Sequence, residues 1–284
     1  MALYKPHQHH SLAFLYGGHD PGVCCRDFCA LTLWLLGYPA QALKRSQEAL
    51  ALAQEWSHPF TLAEAWGYST WLHQLRRQPQ AVREQAERLI ALSHEQGFPY
   101  WLTQGALLWG WAQTLQGREE EGIAQMGQSL AAFQAIGAKS LWPYHLALTA
   151  EAYGMVGRAE EGLMLLGEGL AAVHQTGARY YEAELYRLRG ELLLALEGNQ
   201  HQTQGKGQQL EEAEACFQQA LAVARRQQAK GLELRAAVSL CRLWLRQGKQ
   251  EQARRLLAPI YHWFTEGFDT ADLQEAKVLL EAQL

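Results

Sequence analysis

The sequence predicts an all-α fold: a right-handed superhelical solenoid of antiparallel helix pairs, with roughly 40 residues per pair. Three observations predict it. The stretch "GREEEGIAQMGQSLAAFQAIGAK" at 117–139 is echoed forty residues later by "GRAEEGLMLLGEGLAAVHQTGAR" at 157–179. Glycines and prolines fall into columns at the same shift. Apolar residues recur at three- and four-residue spacing, no stretch alternates with strand period, and β-branched residues are scarce.

The repeats are then read in order along the 284 residues. Residues 1–22 form a partial repeat, with 1–16 lying where a second helix belongs. The chain is therefore expected to start mid-repeat, leaving a face for preceding repeats or for a second copy. Six helix pairs follow over 23–268, at about 23–59, 60–99, 100–139, 140–179, 180–230 and 231–268. In the third, "YWLTQGALLWGWAQTLQ" is the first helix and "REEEGIAQMGQSLAAFQAI" the second. Glu119, Glu120 and Glu121 open that second helix, where carboxylates complement the helix dipole.

Punctuation supports each boundary. Gly17, Ser57, Gly97, Gly137 and Gly177 share one column, and Gly37, Arg77, Gly117 and Gly157 another. Glycine suits the left-handed residue that ends a helix. Pro39 with Pro79, and Pro59 with Pro99, suit first turns. One insertion of about eleven residues breaks the frame at "EGNQHQTQGKG", 197–207, a polar segment expected to be a mobile loop. A helix over 269–284, "TADLQEAKVLLEAQL" behind Asp269 or Thr270 as N-cap, is expected to cover the last repeat.

Two columns hold small residues. The first helices carry Ala30, Thr70, Gly110, Ala150 and Gly190, and the second helices Ala42, Val82, Gly122 and Gly162. Such positions let paired helices approach closely. The pattern resembles the tetratricopeptide (TPR) repeat. Its best matches are "EEAEACFQQALAVA", through Ala213, Phe217 and Ala220, and "PAQALKRSQEALALA", through Ala42, Ser46 and Ala49.

Two longer stretches carry a second resemblance. "YGGHDPGVCCRDFCALTLWLLGYPAQALKRSQEALALAQEWSHPFTLAEA" and "RYYEAELYRLRGELLLAL" resemble the C-terminal TPR-like region of bacterial signalling proteins that carry an adenylate or guanylate cyclase domain and an AAA/STAND-type ATPase. The resemblance covers about residues 12–265, and related tails occur in LuxR-type activators. It implies a regulatory or scaffolding tail, with catalysis confined to other domains of a parent protein. This chain holds no GxxxxGK[ST] phosphate loop and no paired metal-binding aspartates.

Composition narrows the function. A formal net charge of −4 gives no phosphate-tracking surface, so direct nucleic-acid or anionic-membrane binding is not expected. No apolar run reaches the ~18–20 residues of a membrane span. The N-terminus has Pro and His where an export signal needs an apolar core. Five unevenly placed cysteines suit a reducing cytoplasm better than a disulfide framework. Cys24, Cys25 and Cys29, and the separate Cys216 and Cys241, are expected as small buried thiols. His7, His9 and His10 are expected as a solvated end. No metal site, cofactor or catalytic residue is expected, and no enzyme activity.

The register also predicts the side chains lining a concave groove. One column reads Leu31, Trp71, Trp111, Glu151, Glu191, Arg242. Its neighbours give Asp27, Leu107, Arg187 and Glu64, Gln104, Tyr144, Glu184, Arg235. The candidate binding residues are Trp71, Trp111, Tyr144, Glu151, Arg187, Glu191, Arg235 and Arg242. Aromatic and Arg side chains carry much of the energy at interfaces. The expected function is a non-catalytic interaction and regulatory module whose groove takes a peptide, a protein or an upstream domain of the same polypeptide. A small-molecule inducer held by the same face is the alternative.

Overall fold

The computed structural model describes residues 4–139, 141–199 and 206–281. Among them every regular element is helical: α1 (Pro6–His9), a 3-10 segment (His10–Tyr16), α2 (Pro21–Leu35), α3 (Pro39–Trp56), α4 (Pro59–Leu75), α5 (Pro79–Gln96), α6 (Pro99–Leu115), α7 (Glu119–Ala135), α8 (Trp142–Met155), α9 (Ala159–Thr176), α10 (Glu182–Asn199), α11 (Lys206–Arg226), α12 (Lys230–Arg246), α13 (Gln250–Tyr261) and α14 (Ala271–Glu281). None is long and apolar enough to cross a membrane.

The punctuation acts as helix boundaries. Gly97 and Gly177 end α5 and α9 with φ of 70° and 72°, and Gly117 and Gly157 sit in the turns within pairs at 85° and 76°. Ser57 and Arg77, the non-glycine members of these columns, take positive φ as well. Proline opens α3, α4, α5 and α6, where its missing N–H costs nothing. Asp20 adds a cap at α2: its Oδ1 accepts from the Gly22 and Val23 amides at 2.8 and 3.0 Å.

The chain divides into two compact units, residues 1–34 with 38–137, and residues 35–37 with 138–284. In the first unit α3 packs on α4, α4 on α5, α5 on α6 and α6 on α7. The first helices α4 and α6 also touch each other. Its core includes Val23, Ala49, Ala53 and Ala65, then Ala63, Trp66, Leu89 and Trp101. In the second unit consecutive helices from α8 to α14 pack in the same way, and the first helices α8, α10, α12 and α14 contact in series. Phe217, Ala213, Ala220, Leu234, Ala237 and Leu257 are among its fully buried residues.

The small-residue columns explain the closeness of each pair. A Cβ at Gly110 would stand 2.7 Å from the Gly122 carbonyl oxygen, and one at Gly122 would stand 2.5 Å from that of Gly110. The backbones of α6 and α7 meet there. At Gly190 an added Cβ would strike the ring of Phe217, so the glycine makes the socket for that aromatic side chain.

Three local expectations change. The flanking helices reach into the inserted segment: α10 runs to Asn199 and α11 starts at Lys206, since extending an existing helix needs no new nucleus. Residues 200–205 of that loop lie outside the described residues. His10 is not a solvated end. It stacks on Trp56 at 4.2 Å with 7° between the planes, and its Nδ1 is 3.1 Å from Asp20 Oδ2. Cys25 is exposed, and Cys24, Cys29 and Cys216 are only half-buried. Cys241 alone of the five is buried, its thiol donating to the Ala253 carbonyl. In α2 the covered face is taken by Val23, Asp27, Ala30, Leu31 and Trp34, and Cys25 points away from it.

Candidate functional site

The first helices carry the varied columns, and each unit presents its own version. In the second unit the polar column makes an ion network across α10, α12 and α14. Glu184 accepts from Arg187 Nη2 at 2.7 Å and Nε at 3.0 Å, and from Arg235 Nη1 at 3.5 Å. Arg235 Nε donates in turn to Asp272 Oδ2 at 2.9 Å. Arg187 Nη1 reaches Glu191 Oε1 at 3.5 Å and Ser239 Oγ at 3.4 Å, and Ser239 donates to Glu191 at 2.5 Å. Arg242 pairs with Glu275.

Burial sorts these residues. The side chains of Glu184 and Arg235 are 3% and 9% exposed, so they hold first helices together. Glu191 at 33% and Arg242 at 45% reach solvent. Glu151 is half-buried. Tyr144 is fully buried edge-to-face against Tyr181 at 5.1 Å. Burial pushes both phenols well above their ordinary range, so they stay neutral.

In the first unit Trp71 is 7% and Trp111 2% exposed, and both belong to the packing. Among the described residues, an exposed aromatic side chain there is Phe28, 54% accessible and 5.2 Å from the Tyr68 ring. Sequence reading passed over Phe28, although it stands forty residues before Tyr68 and so shares its column.

A second group on the same helices was not foreseen. His19 precedes α2, Cys24 lies in its first turns, and Glu64 lies on α4. One ligand-type atom from each falls within 4.8 Å of the others. His19 Nδ1 is 3.7 Å from Glu64 Oε1, and the Cys24 thiol hydrogen-bonds to the Glu64 carboxylate. Asp27, one turn along α2, is 1% exposed and neither carboxylate oxygen has a hydrogen-bond partner. Burial raises the Asp27 carboxyl well above its ordinary range, and the charge of Glu64 adds to this. Burial likewise lifts Glu64 to about 7 and lifts the Cys24 thiol. The His19 ring is pushed down by burial. Cys24 and Glu64 are forty apart and so members of one column; that was the available signal. His19 comes from a loop and has no periodic signal.

No family model matches the chain, and no curated protein matches it. Among solved structures the chain is similar to the TPR2AB-domain:pHSP90-complex of yeast Sti1, at 11% identity, 92% coverage of this chain, 98% of that chain and a TM-score of 0.37. The architecture is set within the chain itself, by paired helices, small residues where the backbones meet, and first helices that pack on first helices. Each unit is a TPR-like stack of helix pairs, with small residues where paired helices meet and charged first-helix positions such as Glu191 and Arg242 reaching solvent.

Proposed function

We propose that this chain is a protein-interaction module that binds an extended peptide or a partner surface along its first helices. The observation that supports this most is the split between columns. Packing columns stay small or apolar from repeat to repeat, as in Ser46, Ala86, Met126 and Leu166, whereas one first-helix column changes from Trp71 and Trp111 to Glu151, Glu191 and Arg242. A scaffold alone gives no reason for that variety. The solvent-reaching members are the contact residues of each unit's own face in this reading: Phe28 in the first, with Trp71 and Trp111 behind it, and Glu191 and Arg242 in the second, with Tyr144, Arg187 and Arg235 behind them.

The resemblance to signalling-protein tails extends the proposal. In a longer polypeptide the module would report its occupancy to an attached effector by a shift in helix-pair packing. The test is a peptide-library selection on the folded chain. Charge reversal by Glu191→Lys and Arg242→Glu, or Phe28→Ala, should weaken selected peptides at least tenfold. Glu160→Lys on the second helix α9 should leave them unchanged. Equal binding by all four variants would sink the assignment of the face.

A further inference from the structure

We propose that His19, Cys24 and Glu64 form a binding site for a single divalent transition cation of zinc type, with Asp27 as a second buried carboxylate beside it. The donor set is one imidazole nitrogen, one thiolate and carboxylate oxygen. Those are the three ligand types zinc accepts, and a thiolate disfavours magnesium and calcium. Donors on one tetrahedral zinc lie roughly 3–4 Å apart, given bonds of about 2.0–2.3 Å. The 3.7 Å from His19 Nδ1 to Glu64 Oε1 meets this, and the group as a whole lies within 4.8 Å.

Asp27 is the independent observation. A buried carboxylate normally has hydrogen-bond partners. Both Asp27 oxygens lack one, as does Glu64 Oε2. Two acids and a thiol gathered out of water are costly as anions and satisfied by one cation. Asp20 is not a competitor for it. That carboxylate is already held by the Tyr4 hydroxyl, His10 and two backbone amides.

The placement explains what such an ion would do. His19 lies ahead of α2, Cys24 and Asp27 on α2, and Glu64 on α4. Binding joins a loop and two first helices at the start of the first unit. It displaces the Cys24 proton, and any proton on the carboxyls, to solvent. No redox step is involved. The proposal does not rest on the peptide-binding reading, since none of these residues is among the contact residues named there.

The test uses the untagged full chain, stripped with chelator and titrated with Co(II), then Zn(II). The expected result is one cobalt per chain with the visible bands of a tetrahedral complex and a thiolate charge-transfer band. Zn(II) should displace it. Cys24→Ser should abolish the charge-transfer band, and Glu64→Gln or Asp27→Asn should weaken binding at least tenfold. Cys25→Ser and Cys29→Ser should change nothing. Zinc X-ray absorption on the unaltered chain guards against variants that fail to fold: it should show one sulfur at about 2.3 Å with nitrogen and oxygen at about 2.0 Å. A sulfur-free zinc shell, or cobalt binding lost on His7→Gln with His9→Gln and kept in Cys24→Ser, would overturn the site.

Discussion

At the residue scale, glycine acts in two opposite ways within one helix. Gly122 faces the α6 backbone, and a methyl group there would collide with the Gly110 carbonyl oxygen and Thr114. Gly127, in the same helix α7, faces open space and is exposed. Gly122→Ala should therefore cost about 1–3 kcal/mol through forced backbone separation. Gly127→Ala should gain about 0.5–1 kcal/mol through helix propensity. Urea denaturation of both variants checks the opposite signs. Two losses of similar size would mean that the small-residue column is not what sets the helix spacing.

His145 gives a second residue-scale test, through pH. Full burial lowers its pKa from 6.5 to about 3. The unfolded chain takes up a proton below about 6.5 that the folded chain refuses. The contribution of the neutral ring is therefore complete above that pH and is lost as pH falls toward 3. The slope is at most about 1.4 kcal/mol per pH unit. In His145→Gln this slope should vanish, so the stability gap to the unaltered chain narrows between pH 7 and 4. A gap independent of pH would show that His145 is not held neutral by burial.

At the element scale, Glu184 ties α10 to α12 and, through Arg235, to α14. Glu184→Gln leaves Arg187 and Arg235 charged with weakened partners. It should cost about 3 kcal/mol, near the lower end for breaking a buried pair. The Glu184→Gln, Arg235→Met double variant should lose less than the two single losses added together, because the shared Glu184–Arg235 pair is then broken once. Strict additivity of the two single losses in chemical denaturation would exclude coupling. Helix order, the boundaries at Gly97, Gly117, Gly157 and Gly177, and the close contact of Gly110 with Gly122 were all legible in sequence, because each follows from a local or forty-residue rule. The exposure of first-helix residues was not. Register says that Trp71 and Trp111 point toward the first-helix layer, but flanking helices decide how far a large ring is covered. Smaller Phe28 on α2 emerges instead.

At the scale of the molecule, the two units use one plan with different chemistry. The first gathers aromatic rings, two buried acids and a thiol on its first helices. The second gathers interlocked Arg and Glu pairs there. Composition hides this contrast, since a net charge of −4 averages over both. It becomes visible only when members of a column are compared with their spatial neighbours. The proposed cation group escaped sequence reading for the same reason. Cys24 was weighed against Cys25 and Cys29 beside it in the chain, while its structural neighbour Glu64 lies on the next first helix.

The pair of Glu184 with Arg235 has one more consequence, for how such a chain can change its length. Uniform repeats can be duplicated or excised like identical bricks. Here α10 carries a side chain matched to α12, and α12 one matched to α14, so these bricks are keyed. Excising the stretch between Tyr144 and Arg235 would set a buried guanidinium beside a phenol in place of a carboxylate. Shuffling the repeats would strand charges in the same manner. The order of the repeats is thus written into the interior, and a viable change of length must rewrite both sides of the junction at once.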